Sequence, residues 1–463
     1  MTLRDSNLLS NSPSSRDINF HLHSYTHPET LKENGPHIIE KGEGIFVFDE
    51  NGKKFIEGMS GLWCTSLGFS DKELIEAAKE QLDKLPFYHS FAGKISNPAI
   101  DLSELLIKSS PVPMSKVYFA NSGSEANDSA IKFIWYHNQS IGKPEKRKII
   151  SRKRGYHGVT MASGSLTAMP YAQKGFGLPL DFILHTMTPD YYNESNEGEN
   201  EEDFSKRCAQ DLEKLIIDEK PETIAGFFAE PVMGAGGVII PPKNYFYEIQ
   251  KILRKYDILF VADEVICGFG RTGNMWGSET FNIKPDIITA AKALSSAYLP
   301  ISAVLINEKV YKTIEKQAND LGIFGHGYTY SAHPVCAAVA LKTQKLIRER
   351  NIIKHVNDVS PVFSERIKKL KNKYEFIGNS RSVGLIGGKE FSFNGNRKFD
   401  SSKKIAASAV KYIQNEGVIL RALPGDILGI CPPLIISKKQ INEMFDKIEL
   451  GLNKIEKTID SFK

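Results

Sequence analysis

The sequence predicts an α/β protein: a large domain built on a mostly parallel sheet between helices, plus a smaller α+β domain. Three observations lead there. With 463 residues the chain exceeds what one compact core normally holds. From about residue 75 to 335, helical stretches such as 71–84 alternate with short apolar runs, KVYFA (116–120), AGFFAE (225–230), ILFVAD (258–263) and DIITAA (286–291). These runs lack polar alternation, as parallel strands do when helices cover both faces. Beyond residue 335 the order becomes helix, strand and long helix. This sets 336–463 apart as the small domain, with 1–75 supplying an N-terminal arm and part of that domain, and 76–335 forming the large one.

The elements follow in order. Residues 1 to about 30 are polar, rich in Ser, Asn and His, and read as an arm on the surface or across a subunit. GIFVFDENGKKFIEG (44–58) places two β-like runs around Asn51-Gly52, the strongest short hairpin signal. KVYFA leads into Asn121–Ser124 and then a helix with Ala126, Ala130, Ile131, Ile134 and Trp135 inward. ESNEGENEED (194–203) reads as a solvated loop. KKIAASAVKYIQNEG puts Ile405, Ala409, Tyr412 and Ile413 on one helical face, stops at Gly417, and is followed by a strand, VILR. A last helix opens at Ser437 with Gln440 three residues on, a capping box, and carries Ile441, Phe445, Ile448, Leu452, Ile455 and Ile459.

Composition excludes several classes. The net charge of +4 is spread without a basic block, so nothing points to nucleic acid. No window approaches the ~18 apolar residues that span a membrane. The five cysteines form no C-x-x-C pair and read as reduced thiols, and the N-terminus lacks the apolar core of a leader, so the expected location is the cytoplasm. No metal site is expected.

ILFVADEVICGFGRTG holds Gly268, Gly270 and Gly273 in G-x-G-x-x-G spacing. A dinucleotide loop needs its last glycine to open a helix facing the pyrophosphate. Here NMWGSETFNIKPD follows, with Gly277 and Pro285 and no helical stripe, so these glycines read as turn formers and a nicotinamide-dependent oxidoreductase is the weaker reading. The informative residue is Asp263. Lys292 stands 29 positions later, just past another buried run, so two parallel strands would end with a carboxylate and an amine on the same carboxyl edge. Pyridoxal 5′-phosphate needs both: a lysine for the Schiff base to its aldehyde, and a carboxylate that keeps its ring nitrogen protonated. Ser122, Gly123 and Ser124 at a helix start would cradle its phosphate.

Together these segments resemble the class III, fold-type-I pyridoxal phosphate aminotransferases, and among them the omega-amino acid:pyruvate group. The resemblance runs through GMSGLWC (58–64), NSGSEAND, RGYHG (154–158), AEPVMGAGGVIIPP (229–242), ADEVICGFGRTG, AKALSSAYLP, GYTYSAHP (327–334) and LRALPGD (420–426). It implies a fold-type-I transferase in which Tyr156 stacks on the pyridine ring, Val265 packs on the opposite face and Glu230 stands beside the cofactor. Thr329 would reach the phosphate from a neighbouring subunit, implying a homodimer with shared sites, with further pairing to a tetramer left open. Arg421 resembles the arginine that pairs with the acceptor carboxylate, and Trp63, with Phe87 and Tyr88, would wall the pocket. Ala297 stands where the family usually has glycine, and Cys431 where serine is commoner.

The activity implied is ping-pong transfer of an amino group from an omega-amino acid, amine or taurine-like donor to pyruvate, giving alanine, with Lys292 as proton carrier. A decarboxylase, racemase or aminomutase would share most of these motifs.

Overall fold

The computed structural model describes residues 11–393 and 399–462. In chain order its strands are β1–β3 (Ile39–Glu43, Phe46–Asp49, Lys54–Glu57), β4–β10 (Lys116–Ala120, Lys148–Arg152, Ile183–Thr186, Ile224–Ala229, Leu259–Asp263, Ile287–Ala290, Ser302–Ile306) and β11–β15 (Ile377–Val383, Ile386–Phe391, Val418–Ile419, Arg421–Leu423, Ile427–Ile430).

The apolar runs form the middle of a seven-stranded sheet ordered β4-β10-β9-β8-β7-β5-β6. β8 pairs in parallel with β7 and β9, and β5 with β6 and β7. Only β10 runs against its neighbours β9 and β4. Every residue of β7, β8, β9 and β10 is buried, which is why these strands carry no polar alternation. On one face Phe228, Val261 and Ile287 meet Ile131 and Ile134 of the helix Gly123–Ser140. On the other, Phe227 and Phe260 meet Leu212, Phe246, Ile249 and Leu253. Trp135, expected inward, is half-buried at the helix edge, where its indole N–H donates to Arg147 O at 2.8 Å.

The predicted hairpin forms: β2 and β3 pair antiparallel, and Gly52 takes φ 76°. The predicted VILR strand is divided. β13 adds in parallel to β3, whereas β14 joins β15, β12 and β11 in a second four-stranded sheet. The last helix is Lys438–Thr458 with its Ser437/Gln440 capping box, and Ile441, Phe445, Ile448, Leu452 and Ile455 face the core; Ile459 falls in the next 3-10 turn.

Two expectations change. ESNEGENEED is not all loop: Asn200 caps a helix, Glu201–Asp218, whose first turn carries Glu201, Glu202 and Asp203, the favourable end for negative charge. The N-terminal arm, from residue 11 onward, contains two short helices, Pro13–Phe20 and Pro28–Asn34, each with proline at its start. Among the described residues no helix is long and apolar enough to cross a membrane.

Candidate active site

The strands deliver the chemistry to one edge. β4 ends at Ala120 before Asn121–Ser124, β5 at Arg152 before Tyr156, and β7 at Ala229 before Glu230; β8 ends at Asp263 itself, and β9 at Ala290 before Lys292. This is the carboxyl edge, where open α/β sheets bind ligands. A cavity of about 440 Å³ opens there, lined by Ser122, Gly123, Ser124, Tyr156, Glu230, Asp263, Val265 and Lys292 among others.

Asp263 is 3% exposed and fully engaged. Its Oδ2 accepts from Asn127 Nδ2 at 2.9 Å and lies 2.7 Å from His157 Nδ1, and its Oδ1 accepts from Val265 N at 3.1 Å. Asn127 is held in turn by Thr289, whose hydroxyl donates to Asn127 Oδ1 at 2.8 Å. Three contacts thus fix the position of one buried carboxylate.

Lys292 differs. Among the described residues its ammonium has neither a hydrogen-bond nor an ion-pair partner. Burial lowers its pKa, opposed by the nearby Asp263. Its backbone sits at φ 47°, a region an L-residue adopts only when its surroundings enforce it. Glu230 pairs with Arg152 Nη2 at 3.2 Å, both groups buried, and its Oε1 accepts from Tyr156 N at 3.3 Å. Burial raises its pKa, and His157 and Arg152 oppose that.

At the helix start Ser122 is the N-cap, its Oγ accepting from Glu125 N at 3.2 Å, while Ser124 Oγ accepts from Val159 N at 3.1 Å. Gly123 lies between them; a Cβ there would stand 3.2 Å from both Val265 methyls, so glycine keeps the cradle open.

A second cavity of about 680 Å³ shares Leu62, Tyr156, Ile266 and Lys292 with the first, and adds Tyr25, Trp63, Tyr171, Ala235 and Arg421. Trp63 is 2% exposed and packs with Met59, Val232 and Ile266, so it serves as core and cavity wall at once. Arg421 forms no ion pair among the described residues. Tyr25, from the N-terminal arm, places its ring 6.0 Å from the Arg421 guanidinium and its hydroxyl 3.4 Å from that of Tyr156.

Phe87 and Tyr88, expected in the walls, do not join them, and Thr329, expected at a neighbouring subunit's site, does not line its own chain's cavities. Thr329 is exposed on a turn, and Phe87 and Tyr88 lie 39% and 45% exposed elsewhere, with Phe87 against Tyr330 and His333. The glycines of GFGRTG are turn formers: Gly270 and Gly273 take φ 105° and 91°. Sequence reasoning missed Asn127, His157, Thr289, Arg152 and Tyr25. Of these, two carried a visible signal: His157 stands beside Tyr156 in RGYHG, and Asn127 lies within NSGSEAND. It also missed Arg271, buried inside GFGRTG, which donates to Leu385 O, Pro432 O and Ser60 Oγ at 3.0, 2.6 and 3.2 Å.

The family model for class-III aminotransferases matches residues 30–452. The chain belongs to the class-III aminotransferases. It is 48% identical to gamma aminobutyrate transaminase 3, chloroplastic, of Solanum lycopersicum over 92% of this chain and 82% of that protein. It is 46% identical to gamma aminobutyrate transaminase 2 of the same plant, over 93% and 94%. The omega transaminase from Pseudomonas jessenii in complex with PMP superposes with a TM-score of 0.95, at 46% identity, covering 97% of this chain and 99% of that one. A transaminase solved with L-ala superposes at 0.89 with 50% identity, over 91% and 100%.

The class-III aminotransferase is therefore a pyridoxal 5′-phosphate enzyme of fold type I that takes an amine donor and a keto acid acceptor. Its residues fit that cofactor: an unpartnered amine and a triply held carboxylate open on one cavity, beside a glycine cradle at a helix start. The two departures from family pattern are also placed. Ala297, at φ 61°, adopts the conformation a glycine would take on the cavity rim, its N–H donating to Lys292 O at 3.2 Å. Cys431 is buried in the Met59–Trp63 cluster, and burial pushes its thiol up to about 11, so it acts as apolar filling.

Proposed function

We propose that this aminotransferase moves the amino group of an omega-amino acid, or of a related amine or taurine-like donor, to pyruvate and releases alanine by two half-reactions at one site. The observation that carries this reading is the unpaired guanidinium of Arg421 in a cavity that also reaches Lys292. An arginine free of carboxylates is suited to binding the carboxylate of pyruvate, and of an omega-amino acid, bidentately. The names of the plant relatives, gamma-aminobutyrate transaminases, support an omega-amino acid donor.

Bound pyridoxal 5′-phosphate supplies an electrophilic carbonyl carbon and an electron-withdrawing ring. Ser122, Gly123 and Ser124 would hold its phosphate, with Thr329 contributed by a second copy of the chain. Tyr156 and Val265 would flank the ring, Glu230 would stand beside it, and Asp263 would face the ring nitrogen. Lys292 is the catalytic base: its Nζ opens on both cavities without a partner among the described residues, and burial lowers its pKa, which favours its taking and returning a proton. Trp63 and Tyr156 limit the space beside Arg421.

A homodimer with shared sites completes the reading. Exposed Leu82, Leu85, Phe87, Tyr88, Phe91 and Ile95 form an apolar stretch that a partner would cover. The division into 1–75 and 336–463 around 76–335 agrees with β13 pairing on β3. Five free thiols accord with a cytoplasmic protein.

The test is a donor panel of gamma-aminobutyrate, beta-alanine, taurine, a diamine and a simple amine, each with pyruvate, followed by alanine formation. Alanine from the omega-amino acids supports the proposal. Carbon dioxide release or rearrangement without alanine overturns it.

A further inference from the structure

One wall of the cavity beside Arg421 is a five-residue loop, Gly234–Val238, that contributes Ala235. Its ends are clamped by two hydrogen bonds between Met233 and Ile239, at 3.1 and 3.0 Å. Inside it, the N–H groups of Gly237 and Val238 both turn back to Gly234 O, at 3.1 and 2.9 Å. Val238 then takes φ 52°, a left-handed conformation that a β-branched residue rarely tolerates. Strain of this kind persists only where surrounding contacts over-determine it.

Those contacts come from two arginines that do not line the cavity beside Arg421. Arg154 Nη2 donates to Gly236 O at 2.7 Å. Arg381 Nη2 donates to Gly237 O at 2.6 Å, and its Nε to Val238 O at 2.8 Å. Three successive carbonyls of the loop are thus held by two guanidiniums.

Each guanidinium is aimed by a buried carboxylate. Arg154 Nη1 donates to Asp190 Oδ2 at 2.7 Å, and Arg381 Nη1 to Glu390 Oε2 at 2.9 Å. The side chains of Asp190 and Glu390 are only 4% and 2% exposed. Asn193 ties them together, its amide donating to Asp190 Oδ2 at 2.8 Å and to Glu390 Oε1 at 2.9 Å. The result is one continuous relay, Arg154–Asp190–Asn193–Glu390–Arg381, spanning the sheet edge and β11–β12. Gly236 and Gly237 let the arginines approach, since a Cβ on Gly237 would stand 2.9 Å from Arg154 Nη2.

We propose that Arg154 and Arg381, linked through Asp190, Asn193 and Glu390, are positioning residues that fix the Gly234–Val238 loop and thereby set the bulk of amine the cavity accepts. They touch neither the reacting atoms nor the cavity of Lys292. The relay acts through Ala235, the loop's contribution to the lining that also holds Arg421 and Trp63. The inference rests on the second cavity being where the donor sits.

The test compares the wild-type holoenzyme with Arg381→Met, Arg381→Lys and Asn193→Ala, using beta-alanine and the bulkier 1-phenylethylamine as donors to pyruvate. Hydrogen exchange of the 236–238 amides is measured alongside. In Arg381→Met we expect those amides to exchange about tenfold faster, and the ratio of kcat/KM for the bulky donor over the small one to change about tenfold, mainly through KM. kcat with the small donor should stay within about twofold, and Arg381→Lys should restore part of the ratio. Asn193→Ala, which keeps both arginines, should shift exchange and ratio in the same direction, and it replaces Arg381→Met if that variant does not fold. Unchanged exchange, or an equal fall in kcat/KM for both donors with KM constant, overturns the proposal. A wild-type enzyme that accepts neither donor would count against the donor assignment instead, and the exchange rates would then decide whether the relay holds the loop.

Discussion

His157 Nδ1 lies 2.7 Å from Asp263 Oδ2, and neither residue is more than 3% exposed. A carboxylate oxygen accepts, so Nδ1 is the donor in this contact. The other ring nitrogen, Nε2, has no hydrogen-bond partner among the described residues and stands 3.9 Å from Glu230 Oε2. The imidazole thus spends its one strong bond on Asp263. A hydrogen bond to a charged group is worth ~1.5–3 kcal/mol, so removing it should weaken whatever depends on that charge. We expect His157→Phe to lower affinity for pyridoxal 5′-phosphate by roughly ten- to a hundredfold. Titrating the apoenzyme with cofactor, followed by fluorescence, measures this; unchanged affinity would show that His157 does not support the carboxylate.

Lys292→Ala should abolish transfer, with alanine formation down by at least about a thousandfold, because the chain would lose its proton carrier. The melting temperature of the apoenzyme should hold or rise, since the ammonium has no partner to lose and no longer has to be desolvated. Near-normal turnover would remove Lys292 from the mechanism.

Arg421→Ala should raise KM for pyruvate by about ten- to a hundredfold, the scale of losing a charged bidentate contact. KM for an amine without a carboxylate should change little. A uniform loss of kcat with constant KM for pyruvate would place the acceptor elsewhere.

Lys389 is buried in β12, donating to Ile367 O and, at 2.7 Å, to Ser380 Oγ, with no carboxylate in ion-pair reach among the described residues. Burial depresses it from 10.5 to about 7. The native state therefore binds fewer protons than the unfolded chain between those values, and stability climbs with pH through that window by up to ~1.4 kcal/mol per unit. We expect Lys389→Met to raise the melting temperature at pH 7 and to lose most of that advantage by pH 10. Equal gains at both pH values would mean that the amine is not titrating.

Ala297→Gly should be neutral or stabilising by up to about 1 kcal/mol, because the alanine is held at positive φ. Ala297→Val should destabilise. Chemical denaturation distinguishes these outcomes, and a loss of stability in the glycine variant would show that alanine is not strained there.

Much of this site was legible from residue order. Asp263 and Lys292 each close an apolar run, and short runs without alternation that are separated by helical patterns fit parallel strands covered on both faces. KVYFA followed by small residues marked the helix start just as plainly. Residue order does not show what holds Asp263, since Asn127 and His157 lie 136 and 106 positions away. Nor does it show Tyr25, which sits in a polar arm without periodicity, or Arg381, which reaches Gly237 across 144 residues. The VILR segment looked like one strand because periodicity does not reveal that its two halves join different sheets.

By itself, then, residue order determined the strands, the helix caps and the identity of the amine and carboxylate at their ends, because burial and strand period are local properties written into every few residues. Tertiary structure alone decided which side chains meet there. That choice depends on strand order, with β8 set between β7 and β9, and strand order follows from packing over the whole core, which no short stretch of sequence encodes.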